Sequence, residues 1–307
     1  MDGRRVGTRE AGAGRTRYIA VVKRGAVGVG LAALVLGIGC RTGLNYVGAH
    51  GPRYVGGAAP ALRMAAVASA RDVRLVTFNI QFALHVDRAI TLFDSLPALR
   101  DADIITLQEM DVAGTRRMAM ALGMHYVYYP ATVHPKTGRD FGNAILSRWP
   151  IVADQKIILP HLARFEKTER IATAASVRIG DRAVRVYSVH LATRLGLGPG
   201  ARRDQADAVL ADAAAFPYVI IAGDMNGHGI GRTFRAAGYR WLTEHNPATD
   251  HFFRYDHVFL KGLQPAAGTN TGVIRDNRGA SDHRPVWAVI SLRTPMAGER
   301  IPLSAQP

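Results

Sequence analysis

The sequence predicts an α/β fold in which one β-sheet packs on another. Ten runs between residues 73 and 292 are strand-like, and several are apolar on both alternating faces, which is typical of strands covered on both sides. Helical patterns separate some of these runs. A hairpin-like pair, with Gly180 and Asp181 between Val177 and Val184, indicates antiparallel neighbours. The mixture of strands, helices and hairpins favours layers of helix and sheet.

The predicted elements follow from the two periodicities along the chain. Strands are predicted, in order, at Val73–Asn79, Asp103–Gln108, His125–Tyr129, Asn143–Ser147, Ile151–Leu159, Ile171–Ile179, Ala183–Leu191, Tyr218–Ala222, Tyr255–Leu260 and Val286–Leu292. Helices are predicted at Asp87–Leu96, Gly114–Leu122 and Arg202–Ala215. The first helix has its apolar residues at helical spacing, and Pro97 is expected to end it.

Composition bounds the class of protein. The chain has 307 residues, and 48% hydrophobic content is ample for a core. The single cysteine, Cys40, excludes an internal disulfide and any zinc site built from several cysteines. Residues 1–70 carry a net charge of +8 and the remainder +7. About half of the basic excess therefore lies outside the predicted domain, residues 71–293, and says little about its substrate.

Residues 1–40 are predicted to be a signal-like or membrane-anchor leader. Basic residues precede Ala26–Gly39, an apolar stretch of 14 residues. A bilayer span needs roughly 20 residues, so the stretch suits a signal peptide better. Cys40 follows directly, which suggests a lipidated cysteine, whereas Gly37 stands where such signals usually have a larger aliphatic residue. We expect an exported or membrane-associated protein, which cell fractionation tests; an uncleaved anchor, or a misassigned start with a cytoplasmic protein, stays open.

Two further segments are predicted to lack a packed structure. Residues 41–70 are rich in Gly, Ala and Pro and have the composition of a linker. Residues 294–307 contain three prolines and no periodicity, so we expect a disordered tail.

Polar side chains stand at the ends of five predicted strands. Side chains at strand ends are held rigidly and still meet solvent, which is where a preorganised site is usually built. The residues are Asn79, Glu109, His190, Asp224 with Asn226, and Asp282 with His283. A set of acids, amides and imidazoles of this kind indicates one metal-assisted hydrolytic centre.

Seven short motifs in this order resemble the endonuclease/exonuclease/phosphatase superfamily, the deoxyribonuclease I-like metal-dependent phosphoesterases. They are Thr77-Phe78-Asn79-Ile80, Leu107-Gln108-Glu109, Gly142-Asn143-Ala144-Ile145-Leu146-Ser147-Arg148, His190-Leu191, Gly223-Asp224-Met225-Asn226, Tyr255-Asp256-His257-Val258 and Ser281-Asp282-His283-Arg284-Pro285. One such motif is a weak signal, but seven in order are a strong one. The resemblance implies a four-layer α-β-β-α sandwich of two mixed sheets, with the site at one rim of the sheets.

Three of these residues are candidate metal ligands. Mg²⁺ takes few protein carboxylates and keeps several waters, so Glu109 is the expected main ligand. Asn79 can add a neutral oxygen and Asp282 a second carboxylate. Mn²⁺ is a possible substitute ion. The structural alternatives are that Glu109 caps the segment starting at Asp111 and that Asn79 satisfies a strand-end amide.

Other residues suit acid–base chemistry. Asp224 is the expected general base, and Asn226 is expected to fix the attacking water and the phosphate through its amide. The alternative for both is a capping role in the loop. His283 can donate to a phosphoryl oxygen or protonate the leaving group. Asp256 offers the carboxylate that orients His283, which the resemblance also implies.

Two more residues complete the expected site. His190 is the second histidine that can donate to phosphoryl oxygens, with Glu169 as a guess for its orienting acid. Arg170 stands where the resemblance implies an arginine near the phosphate, and a solvated strand-edge charge is its structural alternative. Neither of the basic segments 134–139 and 193–203 interleaves aromatic residues with its bases, as a single-strand binding surface does.

The resulting hypothesis is a metal-dependent hydrolase that cleaves a phosphodiester, or a phosphomonoester, by in-line attack of activated water. The substrate stays open among a nucleic acid, a phospholipid headgroup and a small phosphodiester, with a sphingomyelinase-like lipid phosphodiesterase as one alternative. A catalytically silent phosphate-binding module is the alternative of another class, but it requires missing groups, and every expected group is present. No protein partner is predicted.

Overall fold

Fifteen strands form two mixed β-sheets in the part of the chain that the computed structural model describes, residues 42–57 and 72–292. In chain order they are β1 (Leu44–Asn45), β2 (Tyr54–Gly56), β3 (Asp72–Asn79), β4 (Ile104–Met110), β5 (His125–Val133), β6 (Asp140–Ser147), β7 (Ile151–Ile158), β8 (Ile171–Ile179), β9 (Arg182–His190), β10 (Val219–Asp224), β11 (Arg240–Trp241), β12 (Asp256–Lys261), β13 (Gln264–Pro265), β14 (Thr271–Val273) and β15 (Val286–Ser291).

Each sheet has one parallel pair of strands near its middle. The first sheet has the order β1-β5-β6-β4-β3-β15-β13, with β2 also paired to β5 and β14 to β15. The second sheet has the order β11-β12-β10-β9-β8-β7. Strands β3 and β4 run parallel, as do β9 and β10, while their other neighbours are antiparallel. The carboxyl ends of each parallel pair therefore lie side by side at one edge of the sheet.

Five α-helices lie among the described residues: α1 (Val86–Ser95), α2 (Pro97–Arg100), α3 (Val112–Leu122), α4 (Pro199–Ala213) and α5 (Gly231–Ala236). The ends of α3 show how the sequence sets its bounds. The Asp111 carboxylate accepts a hydrogen bond from the Gly114 amide at 2.7 Å, and Gly123 ends the helix with a φ of +63° that glycine adopts at little cost.

The core has three apolar clusters, which define four layers. Val73 and Leu75 of the first sheet share the central cluster with Val186 and Ile220 of the second. Because side chains alternate along a strand, Phe78 faces the other way and joins the cluster under α1 and α3. The third cluster lies between the second sheet and helices α4 and α5. The predicted four-layer α-β-β-α sandwich of two mixed sheets is confirmed.

Residues 42–57 correct the linker prediction for residues 41–70. Strands β1 and β2 both pair with β5, so this segment extends the first sheet. Arg53 donates to both carboxylate oxygens of Asp154 at 2.6 Å, and Lys156 Nζ donates to the carbonyls of Tyr46 and Gly51 at 2.7 and 2.9 Å. Composition could not predict these contacts, because β5 and side chains distant in sequence supply the surface on which the segment packs.

The remaining predictions for the chain ends lie outside the described residues. The leader over residues 1–40, the tail over 294–307 and the rest of the linker cannot be compared with the structure. Within residues 42–57 and 72–292, no helix combines the length and the apolar character that crossing a membrane requires. The domain predicted over 71–293 contains β3 to β15, whereas β1 and β2 of the first sheet lie before its predicted start.

We expect Lys156→Met to loosen the N-terminal segment. Lys156 is buried, and its loss leaves two carbonyls without their donor, so the free energy of unfolding is expected to fall by roughly 1–3 kcal/mol. Urea unfolding and limited proteolysis of residues 42–57 measure the effect, with the exposed Lys167→Met as the matched control. Unchanged stability and unchanged proteolysis of Lys156→Met contradict the packing described here.

His257 is a buried histidine held in its neutral form on β12. Trp241 Nε1 donates to His257 Nδ1 at 3.2 Å, and His257 Nε2 lies 3.1 Å from the Arg254 carbonyl, to which it donates. Burial lowers the pKa of His257 to about 4, although Asp256 opposes the shift. Its folded-state pKa is thus below its unfolded value of 6.5, so its contribution to stability is complete above that value and is lost as the pH falls toward 4.

We expect His257→Gln to reduce the fall in the free energy of unfolding as the pH is lowered. Glutamine keeps a donor and an acceptor but does not titrate. In the wild-type protein, protonation of His257 lowers the free energy of unfolding by about 3 kcal/mol between pH 6.5 and pH 4. Urea unfolding at stepped pH values measures the difference between the two proteins. Parallel curves for wild type and variant across this range would mean that His257 does not carry the effect.

Candidate active site

The predicted site residues meet where the carboxyl ends of the two parallel strand pairs face each other across the sandwich. In the second sheet, Asp224 is the register partner of His190 on one side and of Asp256 on the other. In the first sheet, Asn79 ends β3 beside Gln108, and Glu109 follows on β4. Register aligns residues about 30 positions apart within each sheet, and the packing of the two sheets brings Asn79 and Asp224, more than a hundred positions apart, to one edge.

Asp224 lies at the centre of the cluster and is 1% exposed. Its Oδ2 accepts a hydrogen bond from Asn79 Nδ2 at 3.0 Å, which joins the two sheets, and its Oδ1 accepts from the Asn226 amide at 2.8 Å. Burial raises the pKa of Asp224 to about 6, while nearby His283 and these hydrogen bonds act in the opposite direction. The general-base role of Asp224 stays a prediction, with which a pKa near neutrality is compatible.

Asp256 and His283 form a hydrogen-bonded pair. Asp256 Oδ2 lies 2.9 Å from His283 Nδ1, and His283 Nε2 points to the other side, 3.7 Å from Asp224 Oδ2. Burial disfavours a charged His283, but the two carboxylates outweigh it and raise the pKa of this imidazole well above its usual value. The orienting role predicted for Asp256 agrees with this geometry.

Glu109 stands on a strained stretch of backbone beside Asn79. A bulge interrupts β4 between Leu107 and Met110, and Glu109 has a φ of +60°. Its Oε1 accepts from Asn79 Nδ2 at 3.2 Å and its Oε2 from the Phe82 amide at 3.0 Å. Burial raises the pKa of Glu109, opposed chiefly by the nearby Arg170. Left-handed conformations at non-glycine residues concentrate at functional sites, because they persist only where the surroundings enforce them.

The turn after β3 continues the strained backbone and reaches Asp282. Gln81, Phe82 and Ala83 all have positive φ values between 38° and 55°. Gln81 Nε2 donates to Asp282 Oδ2 at 3.0 Å, and Asp282 is exposed at the mouth of the cluster. Asp282 is thus near Asn79 and Glu109 but remains open to solvent.

His190 is paired with Arg170. Arg170 Nη1 lies 2.9 Å from both ring nitrogens of His190, so it donates to one of them, and the ring is neutral. Burial, reinforced by the positive Arg170, lowers the pKa of His190 well below its usual value. The acid nearest His190 is Asp224 at 3.5 Å, which replaces the guess of Glu169. Arg170 is itself buried, so it is not a solvated strand-edge charge.

Asn226 differs in part from its prediction. It has a φ of +49°, a conformation that asparagine tolerates, and its amide Nδ2 donates to the Leu191 carbonyl at 2.9 Å. Its side-chain donor is therefore used to hold the loop after β10 against the end of β9.

Several residues that position the site were missed from the sequence. Ser281 Oγ donates to the Asn79 carbonyl at 2.7 Å and accepts from the His283 amide, which fixes the last loop to β3. Gln108 donates to Ser188 Oγ at 3.0 Å, and Asn143 donates to the carbonyls of Ile171 and Ser188. These buried bonds join the two sheets under the site. Gln108, Asn143 and Ser281 all lie within the motifs quoted above, which were the available signals for them, whereas Ser188 had none.

The cluster carries more negative than positive charge. Among the described residues, the nearby opposite charges that act on Glu109, Asp224, Asp256 and Asp282 include Arg170, a protonated His283 and, for Asp224, Arg202. Asp256 Oδ1 is buried and has no hydrogen-bond partner among the described residues. Ligand atoms of Asp224, Asp256 and His283 lie within 4.8 Å of one another. A protonated His283 has no lone pair for a metal, so it is the under-compensated carboxylates, Glu109 and Asp282 among them, that fit a hard divalent cation.

Comparison with known proteins places the chain in a family. The model of the Endonuclease/Exonuclease/phosphatase family matches residues 76–283, so the chain belongs to this family. Members of the family are phosphoesterases, and the chain has their phosphoesterase-type hydrolase fold. No curated protein is significantly similar to the chain in sequence.

Solved structures support the same fold. An endonuclease/exonuclease/phosphatase from Beutenbergia cavernae is 20% identical with a TM-score of 0.60, covering 74% of each chain. Humanised D. rerio TDP2 is 17% identical with a TM-score of 0.57, covering 72% of this chain and all of that one. The human Nocturnin catalytic domain is 18% identical with a TM-score of 0.57, covering 78% and 97%. At these identities the likeness shows the fold.

We expect Asp256 and His283 to act as one unit in catalysis. His283→Ala is expected to lower kcat for bis(p-nitrophenyl) phosphate by roughly 10²–10⁴-fold, and Asp256→Asn by less. Adding Asp256→Asn to His283→Ala is expected to change kcat little, because Asp256 acts through the missing imidazole. Asp87→Asn, an exposed carboxylate on α1, is the control. Fully additive losses in the double variant would reject the pairing.

Proposed function

We propose that the protein is a divalent-metal-dependent phosphodiesterase that uses Mg²⁺, with Mn²⁺ as a substitute, and hydrolyses its substrate by in-line attack of water. The observation that carries this proposal is the joint placement of the Asp256–His283 pair, buried Asp224 and the Glu109–Asn79 pair at one edge of both sheets. Phosphoryl transfer needs a base, neutralisation of the growing charge and help for the leaving oxygen, and each has a candidate here.

The chain's own residues divide these tasks by geometry. Asp224 accepts the proton of the attacking water, since its carboxylate lies between the two sheets and its other partners hold it in place. His283 turns Nε2 toward the same space while Asp256 holds Nδ1, so His283 donates to a phosphoryl oxygen or to the leaving oxygen. Arg170 sets the orientation of His190 and brings positive charge to the phosphate side.

Glu109 is the proposed main metal ligand, with Asn79 and Asp282 beside it. When bound, the divalent cation supplies neutralisation of the phosphoryl charge. The Asn79 amide nitrogen donates to the Glu109 and Asp224 carboxylates, and its oxygen accepts from the Gln81 amide. The Asn79 oxygen has a second lone pair beyond the one that the Gln81 amide uses, and this lone pair is the one offered to the cation.

The catalytically silent alternative is disfavoured by the completeness of the set. A phosphate-binding module needs cationic groups. It does not need a buried carboxylate whose pKa is raised toward neutrality, or a carboxylate that orients an imidazole. A structure of D. rerio TDP2, a protein of the same fold, is a complex with a single strand DNA product. Phosphodiester cleavage is therefore a chemistry that this fold supports.

We expect metal removal and Glu109→Gln to abolish turnover for the same reason. Chelation with EDTA is expected to stop hydrolysis of bis(p-nitrophenyl) phosphate, and added Mg²⁺ or Mn²⁺ to restore it. Glu109→Gln is expected to lower kcat by roughly 100-fold or more, because the main ligand loses its charge. Isothermal titration with Mg²⁺ provides a second readout, in which Glu109→Gln binds more weakly than wild type.

Glu244→Gln is the matched control, because Glu244 pairs with Arg235 away from the cluster. Circular dichroism verifies that both variants remain folded. Full activity of a metal-stripped Glu109→Gln protein would contradict the proposal that Glu109 binds a metal required for catalysis.

A further inference from the structure

A cleft of about 1100 Å³ opens beside the active site and is lined by five arginines. The arginines come from four places in the chain: Arg194 from the loop after β9, Arg202 and Arg203 from α4, Arg232 from α5, and Arg254 from the loop before β12. Arg194, Arg203 and Arg232 are exposed and have no carboxylate within 4.0 Å among the described residues. Asp207 is the one acidic residue lining the cleft. The cleft is therefore strongly positive and its charges are available to a ligand.

Aromatic side chains line the same cleft. Phe253 and Tyr255 lie with their rings parallel, 2° apart in orientation and 5.2 Å between centroids. Phe253 is 48% exposed and the adjacent Phe252 is 90% exposed, so ring surface remains free for contact. Exposed aromatic faces of this kind are costly in water and stack on planar ligand groups.

The cleft lies next to the active-site cluster. Gly227, which lines it, follows Asn226, and Tyr255 precedes Asp256. The Tyr255 ring centroid lies 6.3 Å from that of His283. The aromatic rings thus lead outward from the imidazole proposed to assist the reaction. A polymer whose scissile phosphate lies at His283 has its next units in this cleft.

We propose that this arginine–aromatic cleft binds the strand that flanks the scissile phosphate of a single-stranded nucleic acid. The inference rests on the proposed phosphodiesterase function and names its substrate class. A positive groove that tracks the phosphates, combined with aromatic rings on which bases stack, is the arrangement that binds single strands without reading sequence. A base is free to stack on Phe253 only when it is unpaired, so a duplex lacks this contact.

A zwitterionic lipid headgroup fits the cleft less well. Five arginines repel the cationic part of a choline headgroup, and a single scissile phosphate leaves most of them without a partner. Exposed phenylalanines bind a membrane surface through their apolar area, and this interaction does not require a flat ring. This difference separates the two ligands experimentally.

The first test measures affinity without turnover. Fluorescence anisotropy of the full chain in EDTA, with labelled single-stranded DNA and RNA of about 12 nucleotides, reports binding alone. We expect Arg203→Ala combined with Arg232→Ala to reduce the slope of log K against log salt by about 1.4, since each phosphate contact on a single strand contributes about 0.7. Paired removal of Arg116 and Arg117, exposed on α3 away from the cleft, is the matched control and leaves the slope unchanged.

The second test changes the ring and keeps the charge. We expect Phe253→Leu to weaken single-strand binding by roughly 5- to 100-fold with an unchanged salt slope, and Phe253→Tyr to retain the wild-type affinity. A duplex of the same length is expected to bind more weakly than the single strand and to be insensitive to Phe253→Leu. Binding to vesicles of phosphatidylglycerol and phosphatidylcholine is measured alongside.

The outcomes separate this inference from the proposed function. All cleft variants are expected to hydrolyse bis(p-nitrophenyl) phosphate at the wild-type rate, because that substrate is too small to need the cleft. Loss of that hydrolysis in the wild type overturns the proposed function, while single-strand affinity in EDTA still tests the cleft. The cleft assignment is overturned if neither variant changes oligonucleotide binding. It is also overturned if the chain has no affinity for oligonucleotides and Phe253→Leu still binds vesicles.

Discussion

The buried carboxylate of Asp224 is the constraint on which the rest of the site depends. A carboxylate removed from water needs partners, and Asp224 obtains them from both sheets: Asn79 from the first and the loop of Asn226 from the second. These bonds fix the distance between the strand ends, and Ser281 then fixes the last loop that carries His283. The catalytic geometry is thus a consequence of satisfying one buried charge.

The active-site cluster and the neighbouring cleft carry charges of opposite sign, so an electrostatic field runs between them. Carboxylates dominate the cluster at the strand ends, whereas unpaired arginines line the adjoining cleft. A cation is drawn to the first and an extended anion to the second. The net charge outside residues 1–70 is +7, and five arginines line the cleft where we propose that the substrate binds.

Local periodicity was sufficient to predict the main elements. Ile171–Ile179 appears as predicted, and α1 begins and ends within one residue of Asp87–Leu96, because buried strands and amphipathic helices have clear patterns. The short strands β1 and β2 were not predicted. Their pairing depends on β5, and a two- or three-residue strand has no periodicity of its own.

The sequence by itself determined which residue types stand at the strand ends, and therefore the family and the membership of the catalytic cluster. Only the tertiary structure decided their partners: Arg170 beside His190, and Asn79 between two carboxylates. It also joined the arginines of residues 194–203 to aromatic rings some fifty positions later. The reason is physical: a side chain's identity is local, whereas register and layer packing set its neighbours across long stretches of chain.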